Sequence, residues 1–276
     1  MKTRLFLIVA LASVTAFQPG SPARAADEPA FTPLFNGRDL EGLYTFLQKH
    51  GKGRDPDRIV TIEDGAIHLY KHAAEGSEVV MGYISTKREY GDFHLRFEYR
   101  WGEKKFKPRY ALKRDAGLYY RLIGPDAVWP TALQYQIEQT NVGDLVLLYG
   151  YTVDTWIDPK TKKATQSTFL PADKGGEAKV QGGKGIFYQK HLAGDHEIEG
   201  WNKAEILVKD GSITHLLNGR VLNQGTNLRY ADPKRDGAIR RVDQGRIALE
   251  IEAAEIYFRK VEIQDLSASP AGEERK

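Results

Sequence analysis

Hydrophobic and polar residues alternate along most of this chain with the period of two that β-strands require. The clearest case is FHLRFEYR at 93–100, where every second residue is aromatic or leucine. The run from Arg246 to Glu252 repeats the pattern. In the last strand, Ile256 to Ile263, the apolar positions change parity between Phe258 and Val261, which predicts a β-bulge.

Tight turns separate these runs. Asp-Gly pairs at 64–65 and 210–211 and the Asn-Gly pair at 218–219 predict β-hairpins. We count about a dozen short strands and no long amphipathic helix. Two stretches look different: a helical turn is expected at the start of Leu40–His50, and Gly143–Gly200 has the character of a long irregular region. The pattern predicts an all-β fold, an antiparallel two-sheet jelly-roll sandwich.

The N-terminus predicts export. Lys2 and Arg4 precede the apolar run 5–12, and Ala23-Arg24-Ala25 offers a cleavage site, so residues 1–25 are interpreted as a signal peptide. Residues 26–266 then form a single domain, and 267–276 a polar tail expected to be disordered. No transmembrane segment is expected, because no later apolar run is long enough to cross a bilayer. We expect a periplasmic or extracellular protein.

Composition narrows the partners. The chain has no cysteine, so it must fold without disulfides, and its net charge is only +3 with 28% charged residues of both signs. The basic run at 104–114 is flanked by Glu103 and Asp115 and is interpreted as a solvated loop. Nucleic acid is therefore not an expected partner.

Two neighbouring strands carry the candidate chemistry. In the strand that starts near 131, apolar residues alternate with two amides and a carboxylate, and the strand before it has an acid, a phenol and a guanidinium at one parity. Such groups donate and accept hydrogen bonds with little net charge, which suits a polyhydroxylated ligand. A solvated outer sheet face is the alternative interpretation. The residues are Asp115, Tyr119, Arg121, Gln134, Gln136 and Glu138.

Seven segments of the chain match one family in order: LFNGRDLEG, EYGDFHLRFEYRWGEKK, RDAGLYYR, VWPTALQYQIEQTNVGD, GWNKAEI, ITHLLNG and GRIALEIEAAEIYFRKVEI. With these segments the chain resembles the 3-keto-disaccharide hydrolase domain family from about Phe31 to Leu266. The resemblance implies a concanavalin A-like jelly roll, and activity on glycosides oxidised at C3 of the sugar. A ketone at C3 acidifies the C2 proton, so a general base can remove it and expel the C1 substituent, after which water adds back.

This sequence departs from the family pattern at four positions. The resemblance implies Glu directly before Trp201-Asn202, where the chain has Gly200. The resemblance implies Asp-Ser-Gly where the chain has Asp115-Ala116-Gly117. It implies Glu and then Gln two residues later where the chain has Gln134 and Gln136. Near the end it implies Gln and Glu two apart where the chain has Glu250 and Glu252.

The expected site combines these positions. Glu138, Glu250, Glu252 and His215 are the candidate catalytic residues, although His215 shares parity with apolar neighbours and is equally consistent with a buried histidine. No cofactor is expected. A divalent ion could replace hydrogen-bond donors, and Asp154, Asp158, His191, Asp195, His196 and Glu197 could supply ligands, but they form no recognised motif. The candidate substrate-binding residues are Asp115, Tyr119, Arg121, Gln134, Gln136, Asp144 and Trp201.

The predicted function is an exported carbohydrate-active hydrolase or lyase that cleaves 3-keto-glycosides, with a carbohydrate as partner. The alternative is a non-catalytic, lectin-like carbohydrate-binding module, favoured by the missing Glu at 134 and the missing Ser at 116. Glu250, Glu252 and Glu255 also imitate the acid spacing of laminarinase-type glucanases. Simple alternation puts Glu255 on the opposite face, so we interpret that spacing as coincidence.

Overall fold

Two large sheets account for the regular structure of the chain. The structure is a computed structural model that describes residues 30–164, 166–232 and 235–267. The predicted signal peptide, and all of the predicted tail except Ser267, lie outside the described residues. Among the described residues, no helix has the length and apolar character needed to cross a membrane.

The larger sheet, called the back sheet here, has eleven strands among the described residues. Its strands are in spatial order β13 (Glu177–Gly182), β11 (Tyr151–Ile157), β17 (Arg220–Asp232), β16 (Ser212–Leu217), β15 (Asn202–Lys209), β7 (Phe93–Lys105), β20 (Ala254–Asp265), β5 (Ala66–Leu69) and β4 (Val60–Glu63), with β1 (Thr32–Pro33) beside β20 and β18 (Ala238–Arg240) beside β17.

The other sheet, called the front sheet, has nine strands in the described part of the chain. All its pairs are antiparallel except β12 with β14. Two short 3-10 helices, Pro159–Thr161 and Ala172–Lys174, lie outside the sheets. The order is β12 (Ser167–Thr168), β14 (Ile186–Lys190), β10 (Leu145–Leu148), β9 (Thr131–Glu138), β8 (Asp115–Ile123), β19 (Arg246–Ile251), β6 (Gly82–Thr86), β2 (Leu43–Leu47) and β3 (Gly51–Lys52).

The main core lies between the two sheets and follows from the alternation. Every second residue of β7 from Phe93 to Tyr99 is buried, and so are the apolar residues of β9 that face them. Phe97 of the back sheet and Tyr135 of the front sheet meet edge to face with ring centroids 6.0 Å apart. The all-β two-sheet prediction is therefore confirmed.

A second apolar cluster covers part of the outer face of the front sheet. It includes Tyr44, Tyr83 and Tyr119 on three different strands, together with Leu122 and Leu148. These side chains are buried although they point away from the main core. This part of the outer face of the front sheet is therefore covered rather than solvated.

Turn predictions agree with the structure, and two other expectations do not. The Asp64-Gly65 turn joins β4 to β5, Asn218 adopts a positive φ of 50° in its hairpin, and the register shift in β20 confirms the predicted bulge. The helical turn expected at the start of Leu40–His50 is wrong, because the aromatic and branched residues of 43–47 form β2.

The irregular region expected at Gly143–Gly200 is also wrong, since it contains β10 to β14. β10 is buried along its whole length, so it lacks the alternation on which the sequence prediction depended.

Candidate functional site

A row of polar side chains crosses the middle of the front sheet on its outer face. Asp115 on β8, Gln134 and Gln136 on β9 and Glu250 on β19 all face this side, and Glu252 follows directly after β19. Each of these side chains is almost fully buried. The parity read from the sequence is thus correct for Asp115, the two glutamines and the two glutamates.

Gly117 allows residues on β9 and β19 to meet across the intervening strand β8. A Cβ atom at this glycine would lie 2.6 Å from Glu250 Oε2 and would also collide with the amide nitrogen of Gln134. Because the glycine has no side chain, the Gln134 amide donates a hydrogen bond of 2.6 Å to Glu250. The short RDAG segment therefore creates the space in which the two side chains touch.

These residues form the floor of a cavity with a volume of about 190 Å³, called the acidic cavity here. Its wall combines aromatic and aliphatic side chains, a composition that suits one apolar face of a sugar ring. A neighbouring cavity of about 270 Å³ shares Arg109, Asp115, Gln136 and Tyr188 with it. The acidic cavity is lined by Arg109, Asp115, Trp129, Gln134, Gln136, Leu148, Ile186, Tyr188, Glu250 and Glu252.

Arg109 is the positive group of the acidic cavity. It comes from the loop after β7, contacts the Asp115 carboxylate, and places its Nη1 atom 2.9 Å from Glu252 Oε1. The amide of Gln136 donates a second hydrogen bond, 2.8 Å long, to Asp115. One guanidinium therefore faces three buried carboxyl groups, and the cavity has an excess of acid.

This excess raises the proton affinity of the acids. Burial, reinforced by Glu252 and Asp115, holds the pKa of Glu250 well above its ordinary value. Burial and the charge of Glu252 raise the pKa of Asp115 to about 9. Burial also raises the pKa of Glu252, against the opposing effects of Arg109 and of a hydrogen bond with Trp129. At neutral pH the cluster therefore holds protons, as expected for close carboxyl groups that cannot all ionise.

Both oxygens of Glu250 have hydrogen-bond partners. Tyr119 donates its phenol hydroxyl to one, and Gln134 donates its amide to the other. Tyr119 thus lies beneath Glu250 and orients it, rather than lining the cavity.

Glu138 and Asp144 lie at the neighbouring cavity. Glu138 accepts a hydrogen bond from the Asn141 amide. Asp144 is buried and accepts from the Lys190 ammonium, and also from the backbone and the ring of His191 at 2.7 Å each. The site predicted from the sequence is therefore divided between two adjoining cavities.

His215 lies outside both cavities. Its side chain points into the main core, as its parity with Ile213 and Leu217 requires, and bonds to the Tyr120 hydroxyl at 2.9 Å and to the Gly143 carbonyl at 3.2 Å. Burial lowers the pKa of His215 to about 4. The expectation of a catalytic histidine is corrected, and the buried interpretation holds.

Arg121 also lies away from the acidic cavity. A register shift between Tyr120 and Ile123 and a positive φ of 51° at Arg121 interrupt the alternation of β8. Leu122 consequently packs on the same face as Tyr119. The guanidinium of Arg121 bonds to Asp92 at 3.1 Å instead. Its expected substrate contact is corrected.

Trp201 belongs to the other sheet. It precedes β15 and contacts two guanidinium groups, with Arg259 at 3.9 Å and Arg100 at 5.3 Å from the ring centroid. Glu255 is also on the back sheet, where it bonds to His68 at 2.8 Å. The Glu250–Glu255 spacing therefore does not form a glucanase site, as alternation predicted.

Five residues of the acidic cavity escaped the sequence analysis: Arg109, Trp129, Leu148, Ile186 and Tyr188. Arg109 stood in the basic run that was interpreted as solvated, and Tyr188 in the region that was interpreted as irregular. The one signal in the sequence was that Arg109 follows Pro108 in a run otherwise rich in lysine, six residues before the strand that begins with Asp115.

The sequence contains several side chains that could bind a metal ion. In residues 30–164, 166–232 and 235–267, no three His, Asp or Glu side chains are arranged to hold a metal ion. Asp154 instead bonds to Arg229 and Asn227 on the back sheet.

Solved structures support the fold. A candidate glycosyl hydrolase from Parabacteroides distasonis is 20% identical over 86% of this chain and 94% of that chain, with a TM-score of 0.51. A second candidate glycosyl hydrolase from the same organism is 15% identical over 86% of this chain and 100% of that chain, with a TM-score of 0.49. The carbohydrate-binding module CBM66 from Bacillus subtilis is 10% identical over 81% of this chain and 95% of that chain, with a TM-score of 0.42. The first similarity shows the fold alone, and the other two are too weak to carry an argument.

No curated protein sequence matches this chain. The family described as the 3-keto-alpha-glucoside-1,2-lyase-like domain matches residues 30–264, which is nearly the whole described chain. The match agrees with the ordered segments noted in the sequence and with the two-sheet jelly roll. This chain therefore belongs to the 3-keto-alpha-glucoside-1,2-lyase-like domain family.

Proposed function

We propose that this protein cleaves the glycosidic bond of a 3-keto-glycoside by removing the C2 proton, eliminating the C1 substituent and adding water. The observation that carries the proposal is the convergence of Glu250, Glu252, Asp115 and Arg109 in one cavity. An elimination of this kind needs a base, an acid and a positive group near the developing enolate. The acidic cavity contains all three types of group.

Glu252 is the proposed base. Arg109 contacts its carboxylate at 2.9 Å, and both Arg109 and the bond with Trp129 oppose the rise of its pKa. Glu252 therefore loses its proton more readily than Glu250 does. Its carboxylate takes the C2 proton, and the electron pair of the C2–H bond moves onto the C3 oxygen as an enolate. The guanidinium of Arg109 stabilises that negative charge.

Glu250 is the proposed acid. Burial raises the pKa of Glu250 well above its ordinary value and so favours its protonated form, which can supply a proton to the leaving oxygen. As the ketone re-forms, a double bond forms between C1 and C2, the C1–O bond breaks, and the leaving oxygen takes the Glu250 proton. Water then adds its oxygen to C1 while C2 regains a proton, so that the net reaction is hydrolysis.

The decisive experiment follows hydrogen at C2. Purified protein is incubated with a 3-keto glucoside in D2O, and the released sugar is analysed for deuterium at C2 against a sample without protein. Elimination and hydration incorporate one deuterium at C2 in step with aglycone release. Release without incorporation would contradict the mechanism.

Variants test the two roles. Glu252→Gln and Glu250→Gln are each expected to lower kcat by about 10²- to 10⁴-fold. Glu262→Gln is the matched control, because Glu262 pairs with Arg96 on the back sheet, away from the cavity. Full activity in both test variants would show that the acids are assigned incorrectly.

A lectin-like module is the second candidate. It is favoured by the two hydrogen bonds that already occupy both oxygens of Glu250. This candidate predicts saturable binding of a sugar in calorimetry with no turnover of any 3-keto glycoside tested.

Export is part of the proposal. The basic residues, apolar run and Ala-Arg-Ala segment within residues 1–25 support it. Mass spectrometry of the protein expressed with its full N-terminus should find a mature chain that begins at Ala26. A secreted or periplasmic fraction that retains Met1 would contradict cleavage at this position.

A further inference from the structure

We propose that Asp126 positions Trp129 at the wall of the acidic cavity and thereby tunes sugar binding, an inference that rests on the proposed function. Both residues belong to the segment 124–130 that joins β8 to β9. Asp126 is distant from the reacting groups, so it is a positioning residue rather than a catalytic one.

Asp126 is the anchor of this connecting segment. One of its carboxylate oxygens accepts hydrogen bonds from the Tyr44 and Tyr83 hydroxyls, each 2.7 Å long, and from Arg246 at 2.6 Å. Arg246 also donates to the Gly124 carbonyl at 2.9 Å. Three side chains therefore donate hydrogen bonds to one carboxylate oxygen of this connecting segment, and together they fix its position on the sheet.

The anchoring strands show where the segment lies. Tyr83 is on β6 and Tyr44 on β2, whereas β8 is separated from β6 by β19. Asp126 can bond to both tyrosines only if the segment folds back across the outer face of the front sheet. Trp129, three residues later, is thereby brought to the wall of the acidic cavity.

Trp129 is not fixed by packing alone. Trp129 is 44% exposed, although it lines the cavity beside Glu252. An exposed indole face beside the acids can stack on a sugar ring, provided that its backbone is held in place. The anchor at Asp126 supplies that constraint, because reactive positioning is sensitive to shifts of about 1 Å.

The test uses Asp126→Asn in the full chain. Asparagine has nearly the same shape as aspartate, and its amide oxygen can accept hydrogen bonds from the hydroxyls of Tyr44 and Tyr83. It lacks the negative charge that pairs with Arg246. We expect KM for a 3-keto glucoside to rise about tenfold with a smaller change in kcat, as lost binding contacts predict. Tyr44→Phe, which removes one donor and keeps the ring, should give a smaller rise in KM.

Asp154→Asn is the matched control, because Asp154 also holds an arginine and an amide but lies on the back sheet. Its KM should be unchanged. Trp129→Phe should raise KM to a similar extent, and the double variant Asp126→Asn with Trp129→Phe should be no worse than Trp129→Phe alone. Additive effects on KM would overturn the inference, because they would show that Asp126 acts independently of Trp129.

A second measurement does not depend on turnover. Acrylamide should quench tryptophan fluorescence more strongly in Asp126→Asn than in wild type. The increase should be absent when Trp129→Phe is also present. That comparison assigns the change to Trp129 among the four tryptophans. Unchanged quenching would overturn the positioning role. Increased quenching in a protein without activity on 3-keto glucosides would sustain the positioning and reject the proposed function.

Discussion

Gln134 and Glu250 touch across an intervening strand, with the amide nitrogen 2.6 Å from the carboxylate oxygen. The family resemblance implies the opposite residues, an acid at 134 and an amide at 250. Two of the departures noted in the sequence, those at 134 and 250, are therefore in direct contact, and the site keeps one carboxyl group and one amide with their positions exchanged. The missing acid at 134 is therefore compensated by the acid at 250, and the missing amide at 250 by the amide at 134.

The double variant Gln134→Glu with Glu250→Gln should regain the activity that each single variant loses. Gln134→Glu places a second carboxyl group against Glu250, and Glu250→Gln removes the proposed acid, so each single variant should lose activity by about 10²-fold or more. The double variant regains one acid and one amide, and its kcat should recover to within about tenfold of wild type. Steady-state kinetics on one 3-keto glucoside compares all four proteins, and a double variant as inactive as Glu250→Gln would contradict the compensation.

Gly117 should be intolerant of even one methyl group. Gly117→Ala forces a Cβ atom to within 2.6 Å of Glu250 and against Gln134. We expect the free energy of unfolding to fall by about 1–3 kcal/mol and activity to fall because the contact between Gln134 and Glu250 is lost. Urea denaturation measures the first effect. Gly185→Ala is the control, since its Cβ would meet only Phe187, at 3.8 Å, and similar losses in both variants would contradict the prediction.

The floor of the site was predictable because a strand has a period of two. Once β8, β9 and β19 are recognised, alternation alone puts Asp115, Gln136 and Glu250 on the same side of the sheet. Alternation does not show which strands are neighbours. That β19 lies beside β8 depends on long-range pairing, and here the family resemblance supplied the link between the two segments.

The walls were not predictable for a different reason. Arg109 and Trp129 stand on connecting segments, whose path depends on anchors such as Asp126 rather than on periodicity. Arg121 was misassigned because one bulge reverses parity for every later residue of a strand. His215 has the parity of its apolar neighbours, and that signal was compatible with the buried position that the structure shows, although His215 was expected to be catalytic.

Loss of Arg109 should shift the pH dependence of activity. The guanidinium opposes the rise in the pKa of both Glu252 and Asp115. Arg109→Gln removes that effect, so the pKa of the proposed base should rise, and the acidic limb of the kcat/KM profile should move to higher pH. The maximum should also fall by about 10²- to 10³-fold, because the enolate loses its positive partner.

The control for this variant is Arg229→Gln. Arg229 pairs with Asp154 on the back sheet, so its loss removes one positive charge without touching the cavity. Its pH profile should overlay that of wild type. An unshifted acidic limb in Arg109→Gln would show that Glu252 is not the group whose ionisation limits activity.

His215 should make the fold less stable in acid. Burial lowers its pKa from 6.5 to about 4, so between these values the unfolded chain binds a proton that the folded protein does not. Stability from this group is complete above pH 6.5 and is lost as the pH falls towards 4, by about 3 kcal/mol in all. Urea unfolding at pH 7.0 and pH 4.5 measures the loss. His215→Gln has no group that titrates in this range, so its stability should fall less over the same interval, although it starts lower because the bond to Tyr120 is altered. Equal losses in the two proteins would show that other groups cause the acid sensitivity.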